Sequence, residues 1–216
     1  NEPLTAYELG ICVLAVALRT GLNPTPILEL RIDCLQPHPL KSDLMLLASF
    51  KRRGNSTHVT ALRGSEEILA FKAVTFDVIS LIDMIKQKNQ SVRNKYSDKN
   101  RLLVFSQRTG SNKGRSSALS FANLDVACKT LTEKHGLVGD DGNPLTVNLS
   151  KLRKSFVNRI FELSGGDPLV AARLGKHRLS TANNHYWVPP PEAEANHRKM
   201  IERRTQDLIA TDCKGE

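Results

Sequence analysis

The residues best suited to chemistry lie in the last third of the chain. A histidine precedes a tyrosine by nine positions, as His177 and Tyr186 in LGKHRLSTANNHYW (174–187), and Arg153 lies in LRKSF (152–156). A deprotonated phenol is a nucleophile, and a guanidinium donates paired hydrogen bonds to phosphate oxygens. These residue types therefore suit attack on a phosphate ester. A structural interpretation is also open, in which Tyr186 is a half-buried aromatic and His177 caps a helix end.

The order and spacing of these residues resemble the second conserved box of the tyrosine recombinases, also called the phage integrase family. That box reads approximately His-x-Leu-Arg-His-x-Phe, followed by Leu-Gly-His and by a tyrosine. A second stretch, ALRTGLNPTPILELRIDCL (17–35), resembles the first box of the family, Thr-Gly-Leu-Arg-x-x-Glu-x-x-x-Leu. The resemblance covers essentially the whole chain and implies the catalytic domain of such a recombinase.

The resemblance implies a specific reaction. Tyr186 would attack a DNA phosphodiester and leave a 3′-phosphotyrosine and a free 5′-hydroxyl, so rejoining needs no nucleotide cofactor. Arg153 and His177 would bind the reacting phosphate, because its transition state gains negative charge. Lys51, in the basic turn KRR (51–53), would protonate the departing 5′-oxygen, a step for which arginine is unsuited. Neither a metal ion nor another cofactor is implied.

The sequence departs from the family pattern at three positions. Asn23 stands at the arginine of the first box, Pro26 at its glutamate, and Ser150 at the first histidine of the second box, where it could still donate a hydrogen bond. Loss of one phosphate-binding donor costs about 3 kcal/mol of transition-state stabilisation. The departures therefore predict either a relocated arginine or a weakened recombinase. The candidate substitutes for the missing arginine are Arg19, Arg31 and Arg52.

The charge of the chain indicates a polyanionic partner. Its 216 residues include 31 Lys and Arg against 22 Asp and Glu, a formal net charge of +9. The excess lies in three blocks, 41–63, 93–115 and 147–187. If these blocks converge they form a phosphate-binding surface; otherwise they are solvated loops and helix faces. The residues predicted to contact double-stranded DNA are Arg53, Arg108, Lys113, Arg115, Lys151, Lys154, Lys176 and Arg178.

Hydrophobic periodicity and capping residues predict an α+β fold that is mainly helical, with a small antiparallel hairpin or sheet on one edge. Strands over 44–50 and 56–62 would flank the KRRGN turn, and 102–106 would be a short extended piece. SQRTGSNKGRSS (106–117) predicts a flexible basic loop. Helices are expected over 4–21, a short stretch after Pro24 or Pro26, 74–88, 119–137, 150–166, 167–175, a short piece within 180–187, and 192–210. Thr5, with Glu8 three residues later, would cap the first of these helices and Gly21 would end it, and Asp167 would cap the helix over 167–175.

The resemblance also implies how the protein is organised. Residues 1–187 would be the catalytic domain, with a DNA-clamping domain outside this chain, and 188–216 a tail helix that contacts a neighbouring subunit. The working species would be a homotetramer on two DNA sites, in the cytoplasm of a prokaryotic cell and associated with its nucleoid. The longest apolar stretch, 11–18, is too short to cross a bilayer. The four cysteines lack metal-ligand spacing, which indicates reduced thiols.

Two alternatives stay open at this point. A non-catalytic DNA-binding protein on the same fold is favoured by Asn23 and Ser150 and is opposed by the intact Arg153, His177 and Tyr186. A type IB topoisomerase shares the tyrosine chemistry and is a lesser alternative. The recombinase interpretation predicts that Arg153, His177 and Tyr186 converge on one phosphate-sized basic pocket.

Overall fold

The structure is a computed structural model, and it describes residues 2–51, 55–63, 77–165, 167–175, 198–199, 201–202 and 205–206. The chain divides into two compact units, Asn1–Arg153 and Lys154–Glu216. The boundary lies within one long helix, Leu149–Leu163.

Helices dominate the described residues, and every strand among them lies in the first unit. The helices are α1 (Ala6–Thr20), α2 (Pro24–Leu28), α3 (Val78–Lys88), α4 (Gln90–Arg93), α5 (Phe121–His135), α6 (Leu149–Leu163) and α7 (Pro168–Leu174). The strands are β1 (Leu35–Pro37), β2 (Leu44–Lys51), β3 (Ser56–Arg63), β4 (Val104–Ser106) and β5 (Ser116–Ala118).

Helix α1 begins and ends where its sequence provides caps. The Thr5 hydroxyl accepts a hydrogen bond from the Glu8 N–H, and the Glu8 carboxylate accepts one from the Thr5 N–H, which lowers the pKa of Glu8. Gly21 ends the helix in the left-handed conformation, with φ 61°. The helix packs against α5, where a Cβ added to Gly10 would lie 2.4 Å from the Cβ of Ala127. Glycine at this position therefore permits the close approach of the two helices.

Similar local signals define α3 and α5. Asp77 caps α3 by accepting a hydrogen bond of 2.6 Å from the Ser80 N–H. Ser120 and Asn123 form a reciprocal capping box at the start of α5, and Gly136 ends that helix with φ 57°. Apolar side chains of the helices and of the segment before β4 form one hydrophobic core in the first unit. Its most deeply buried members include Leu9, Val13, Ile27, Leu47, Ile82, Ile85 and Leu102.

The strands form two antiparallel sheets. The first has the order β1-β2-β3, and its β2–β3 register runs from Leu44 opposite Arg63 to Lys51 opposite Ser56. The second is the β4–β5 hairpin, in which Val104 lies opposite Ala118. The pairing of β2 with β3 confirms the predicted hairpin, and residues 52–54 of its turn lie outside the described residues.

Buried polar side chains connect the elements of the first unit. Asn89 accepts a hydrogen bond of 2.8 Å from the Leu4 N–H and donates one of 2.7 Å to the Val104 carbonyl. The buried Arg93 donates to the Lys86 carbonyl at 2.5 Å, near the end of α3. Both side chains satisfy backbone groups, so they have structural roles.

The second unit has its own short-range contacts. Val157 on α6 and Ala172 on α7 are fully or almost fully buried, at 0% and 4% exposure. The Ser164 hydroxyl accepts a hydrogen bond from the Asp167 N–H at 3.1 Å. The Asp167 carboxylate accepts one of 2.8 Å from the Leu169 N–H, which confirms its predicted role as the N-cap of α7.

The predicted α+β class is confirmed, and most differences concern short elements. β1, β5 and α4 were not predicted, because three or four residues are too few to show a period. β5 also shows that the predicted loop over 106–117 was wrong at its C-terminal end. The short helix predicted within 180–187 lies outside the described residues. In the predicted helix 192–210, the described residues at 198–199, 201–202 and 205–206 are helical.

Candidate active site

The C-terminal end of α1 supplies a backbone acceptor to the site. Thr20 is buried, and its hydroxyl donates to the Val16 carbonyl at 2.7 Å. Gly21 is in the left-handed region, with φ 61° and ψ 14°, which an L-residue adopts only at an energetic cost. The Gly21 N–H donates to the Ala17 carbonyl at 2.8 Å, so the turn is held from inside the helix. The carbonyl of Gly21 is thereby fixed in direction.

Arg153, on α6, supplies the donor for this backbone acceptor. The Asn148 side chain accepts a hydrogen bond of 2.8 Å from the Lys151 N–H at the start of this helix. Leu149 is part of the core of the first unit, and Leu152 packs against that core. Arg153 is half-buried, and its Nη1 donates a hydrogen bond to the Gly21 carbonyl. Two sequence segments that the family resemblance linked are therefore in direct contact.

Asn23 lies two residues beyond that carbonyl. It is exposed, has extended backbone angles (φ −69°, ψ 159°) and is the N-cap residue of α2, but its side chain makes no capping hydrogen bond. Pro24 and Pro26 are the first and third residues of α2. The first-turn N–H groups of a helix lack internal partners, so two prolines there interrupt no hydrogen bond. Pro26 at the family's glutamate position is thus compatible with an intact helix.

The three candidate substitutes for the missing arginine have different surroundings. Arg19 is exposed in the last turn of α1, two residues before Gly21. Arg31 is exposed and forms an isolated antiparallel bridge with Arg101. Arg52 lies outside the described residues. Arg19 is therefore the described candidate nearest in the chain to the carbonyl that holds Arg153.

The long hairpin presents Lys51 at its tip. Lys51 is the last residue of β2 and lies opposite Ser56, the first residue of β3. Asn55, just before β3, has a positive φ of 44°, which is typical of a tight turn. The side chain of Lys51, and Arg53 as a whole, lie outside what the structure describes. The position of Lys51 at a strand end agrees with the prediction, whereas its role as general acid stays a prediction.

The loop between β4 and β5 carries three of the predicted DNA contacts. Arg108, Lys113 and Arg115 are all exposed. Backbone hydrogen bonds close this loop, including one of 2.8 Å from the Gly114 N–H to the Gln107 carbonyl. Arg108 lies 3.6 Å from the Glu2 carboxylate, but the two side chains are 60% and 90% exposed, so solvent weakens the pair.

Three further predicted residues lie at the start of α6. Lys151 and Lys154 are exposed there, and the Lys151 N–H is used by the helix cap. Ser150 lies in the first turn, and its side chain is outside the described atoms. The nucleophile segment, with Lys176, His177, Arg178 and Tyr186, also falls outside the described residues. Their predicted roles remain predictions.

The cysteines of the described residues are buried and unreactive. Cys12, Cys34 and Cys128 are free thiols, and burial raises the pKa of Cys12 and of Cys34 to about 11. A thiol with such a pKa stays protonated at neutral pH and is a poor nucleophile. No group of three His, Cys, Asp or Glu side chains with the arrangement of metal ligands occurs within the described part of the chain. No helix of that part has the length and apolar character needed to span a bilayer.

Comparison with known proteins locates this fold. No protein-family model matches the chain, and no curated protein matches it in sequence. One similar structure is that of XerH site-specific recombinase bound to difH substrate in a pre-cleavage complex, which is 17% identical in sequence. The match covers 94% of this chain and 49% of that chain, with a TM-score of 0.58. The Tn1549 transposon integrase (residues 82–397), in complex with circular-intermediate DNA, is 14% identical, with 91% and 64% covered and a TM-score of 0.51.

These likenesses define the class of fold. The chain has the fold of the tyrosine recombinase catalytic domain, as its two boxes predicted. It spans about half the length of the XerH chain that it matches. Both solved relatives are complexes with the substrate or DNA on which those proteins act.

Two residues of interest were not identified from the sequence. Gly21 was predicted only as the end of a helix, yet its carbonyl is the acceptor for Arg153. Arg101 was not singled out, although it lies opposite Arg31. Both features depend on contacts between distant segments, and no local pattern announces them.

Proposed function

We propose that this chain is the catalytic domain of a site-specific recombinase, which cleaves and rejoins DNA strands for a mobile element. The observation that carries the proposal is the hydrogen bond from Arg153 to the Gly21 carbonyl. It joins LRKSF to TGLN across 132 positions of sequence, within a fold shared with site-specific recombinases. A guanidinium held by a backbone carbonyl is oriented before any phosphate arrives, which lowers the cost of binding a developing anion.

The reaction follows from the residue types. The Tyr186 oxygen attacks phosphorus while the 5′-oxygen departs, so one phosphate ester replaces another and a 3′-phosphotyrosine forms. Lys51 gives its proton to the 5′-oxygen, and the phenol proton leaves through His177 or solvent. Arg153 donates to the non-bridging oxygens as negative charge develops. Attack by a 5′-hydroxyl of a second strand reverses these steps and regenerates the tyrosine.

Double-stranded DNA is the proposed partner. The net charge of +9 and the exposed Arg108, Lys113 and Arg115 support binding to its phosphates without base specificity. We place the catalytic domain at 1–187 and a subunit-contacting tail at 188–216, with a tetramer as the working species on two DNA sites. Residues 188–216 contain five basic and six acidic side chains, and this near-neutral balance suits a protein contact better than a DNA contact. A DNA substrate places the protein with the nucleoid.

A second candidate function is DNA binding without catalysis. Asn23 favours it, because an exposed neutral carboxamide stands where an arginine would supply charge. The carboxamide can still donate one hydrogen bond to a phosphate oxygen, as neutral donors do in oxyanion sites. The two candidates therefore differ in whether a covalent intermediate forms.

The deciding experiment captures that intermediate. The chain is incubated with a pool of random-sequence duplexes. Each duplex has a nick that lets the short fragment with the new 5′-hydroxyl diffuse away after cleavage. Denaturation, gel separation and sequencing then identify DNA attached to protein, and mass spectrometry locates the attached tyrosine. We expect adducts on Tyr186 that disappear in Tyr186→Phe and persist in Tyr96→Phe, the matched control.

Each outcome selects one function. An adduct on Tyr186 supports the recombinase, and resealing of added strands by the adduct supports strand exchange. Binding of the same duplexes with no adduct in any sequence selects the non-catalytic candidate. An adduct on Tyr96 or Tyr7 would contradict the assignment of the nucleophile.

A further inference from the structure

Two arginines face each other where two distant segments pair. The Ile32 N–H donates to the Asn100 carbonyl at 2.9 Å, and the Leu102 N–H donates to the Leu30 carbonyl at 2.9 Å. These bonds flank Arg31 and Arg101, which lie directly opposite in an antiparallel bridge. Opposed residues flanked in this way form a non-hydrogen-bonded pair, with Cα atoms about 4.5 Å apart and side chains on the same side. The backbone therefore places two arginine side chains on the same side of this bridge.

The pair is anchored rigidly by its neighbours. Leu30 and Leu102 are 2% and 0% exposed and belong to the core of the first unit. Arg31 is exposed, and Arg101 is half-buried. Two like charges directly opposite across an antiparallel pair destabilise the fold. A rigid arrangement that opposes local preference is typical of a binding site.

Neither guanidinium is neutralised within the described part of the chain. The ion pairs found there involve Lys86, Arg108, Lys129 and Arg159. Neither Arg31 nor Arg101 takes part in one. The Nε atom of Arg101 is buried and has no hydrogen-bond acceptor among the described residues. A buried donor on a cation without an acceptor is costly, and this cost adds to the destabilisation caused by the opposed charges.

The acidic residues nearest in sequence to the two arginines are Asp98, Asp33 and Glu29. The Asp98 carboxylate accepts the Asn100 N–H at 3.1 Å. Asp33 is exposed two residues after Arg31, and Glu29 makes other interactions two residues before it. None of these three carboxylates forms an ion pair with Arg31 or Arg101 among the described residues.

We propose that Arg31 and Arg101 together bind one phosphate of the DNA backbone, distinct from the phosphate that is cleaved. Guanidinium groups match the geometry of phosphate oxygens, and two of them can surround one tetrahedral anion. Four of the eight steps from Asn23 to Arg31 lie within α2. At about 1.5 Å per helical residue and 3.5 Å per extended residue, the pair lies within about 20 Å of Asn23. That distance is about six nucleotides of one strand.

This inference rests on the proposed function, because it takes DNA as the anion. It also changes the role of Arg31. The sequence alone made Arg31 a candidate substitute for the arginine missing at Asn23. Paired with Arg101, Arg31 instead positions the duplex beside the site. Arg31 therefore does not replace the arginine that is missing at Asn23.

The test measures duplex affinity against salt for Arg31→Gln, Arg101→Gln and the double variant. A 30-base-pair fluorescent duplex is titrated by anisotropy between 50 and 300 mM NaCl. We expect each single variant to bind about tenfold more weakly at low salt. Each should also lose about 0.9 from the slope of log affinity against log salt, the value for one phosphate. Because both arginines are needed to hold the one phosphate, the loss of either releases it. The double variant should therefore lose the same slope as each single variant, not twice as much.

Lys99→Gln is the matched control, because Lys99 is exposed in the same segment, two residues before Arg101. An equal loss in Lys99→Gln, or slope losses that add in the double variant, would overturn the shared-phosphate site. Wild-type slopes in both arginine variants would also overturn it. Thermal unfolding with added inorganic phosphate checks folding independently: phosphate should raise the Tm of the wild type more than that of either variant.

The outcomes separate this inference from the proposed function. If Tyr186 adducts form while both arginine variants bind as the wild type does, the phosphate site is wrong and the recombinase stands. If no adduct forms while the arginine variants lose the shared slope, the site stands and the catalytic proposal is wrong.

Discussion

Arg153 and the Arg31–Arg101 pair are two regions of the same unit that hold arginine in opposite ways. The guanidinium of Arg153 donates to the Gly21 carbonyl, a neutral acceptor fixed by the end of α1. The Arg31–Arg101 pair sets one cation opposite another across an antiparallel bridge. The first arrangement orients a cation, whereas the second concentrates charge.

Under the proposed function, the difference corresponds to two tasks in DNA processing. A carbonyl partner leaves the positive charge of Arg153 intact and limits its rotation, as stabilisation of a transition state requires. An opposed pair costs stability until an anion arrives, as a binding contact can tolerate. We therefore expect Arg153 to control the rate of cleavage and the pair to control affinity.

The largest effect should come from Arg153→Ala. Removal of a donor from the developing phosphate charge should lower the cleavage rate of bound duplex about 10²- to 10³-fold. Duplex affinity should change less than in Arg31→Gln, which would separate the two regions. Single-turnover cleavage and anisotropy measure the two quantities. Arg159→Ala, an exposed arginine on the same helix, is the control and should leave both unchanged. The comparison fails if Arg153→Ala weakens binding and leaves the rate intact.

Asn23→Arg should act in the opposite direction. An arginine at this exposed position loses no capping bond and adds a cation near the Arg153 site. The cleavage rate should rise about tenfold, measured in single turnover with the nicked duplex. Ser111→Arg adds the same charge to the exposed β4–β5 loop and should raise affinity without raising the rate. An equal gain in rate from Ser111→Arg would mean that only general attraction is being measured.

Gly21→Ala tests the acceptor side of the Arg153 contact. Gly21 and Gly136 both end helices in the left-handed conformation, with φ 61° and 57°, so alanine at either should cost about 1 kcal/mol of unfolding free energy. Only Gly21→Ala should also lower the cleavage rate, by several-fold, because only Gly21 holds Arg153. Denaturant unfolding and single-turnover cleavage give the two readouts. Equal rates in the two variants would show that the carbonyl does not position Arg153.

The smallest effect is expected at the β4–β5 loop. Glu2→Gln removes the carboxylate 3.6 Å from Arg108 and should tighten duplex binding less than threefold, because exposed pairs are weak. Glu133→Gln removes the partner of Lys129 in a comparable exposed pair on α5 and is the control. Anisotropy at low salt measures both. A tenfold gain in Glu2→Gln would mean that Arg108 belongs with the binding pair and not with the general surface.

Much of the fold followed from short-range signals. The capping box of Thr5 and Glu8, the end of α1 at Gly21 and the Asp167 cap were all predicted, because a cap depends on three or four consecutive residues. The β2–β3 hairpin was also predicted from its alternating residues and turn. The start of α3 was not, since Asp77 caps it after the predicted beginning at residue 74.

The candidate site was predictable only in its parts. Arg153 was identified by its place in LRKSF, but its acceptor was not, because the acceptor is a backbone carbonyl 132 positions away. The bridge between Arg31 and Arg101 was not predicted. Two irregular segments show no periodic sequence pattern from which their pairing register could be inferred.

The sequence by itself determined where several helices are capped, and through its resemblance to the tyrosine recombinases it predicted a chemistry. Tyrosine, histidine, arginine and lysine in the family's order, with an excess of basic residues, predict phosphoryl transfer on DNA. Only the tertiary structure decided which arginine is held by a carbonyl and which faces another arginine. The physical reason is that caps and turns are set by neighbouring residues, whereas the partner of a guanidinium is set by packing between segments far apart in the chain.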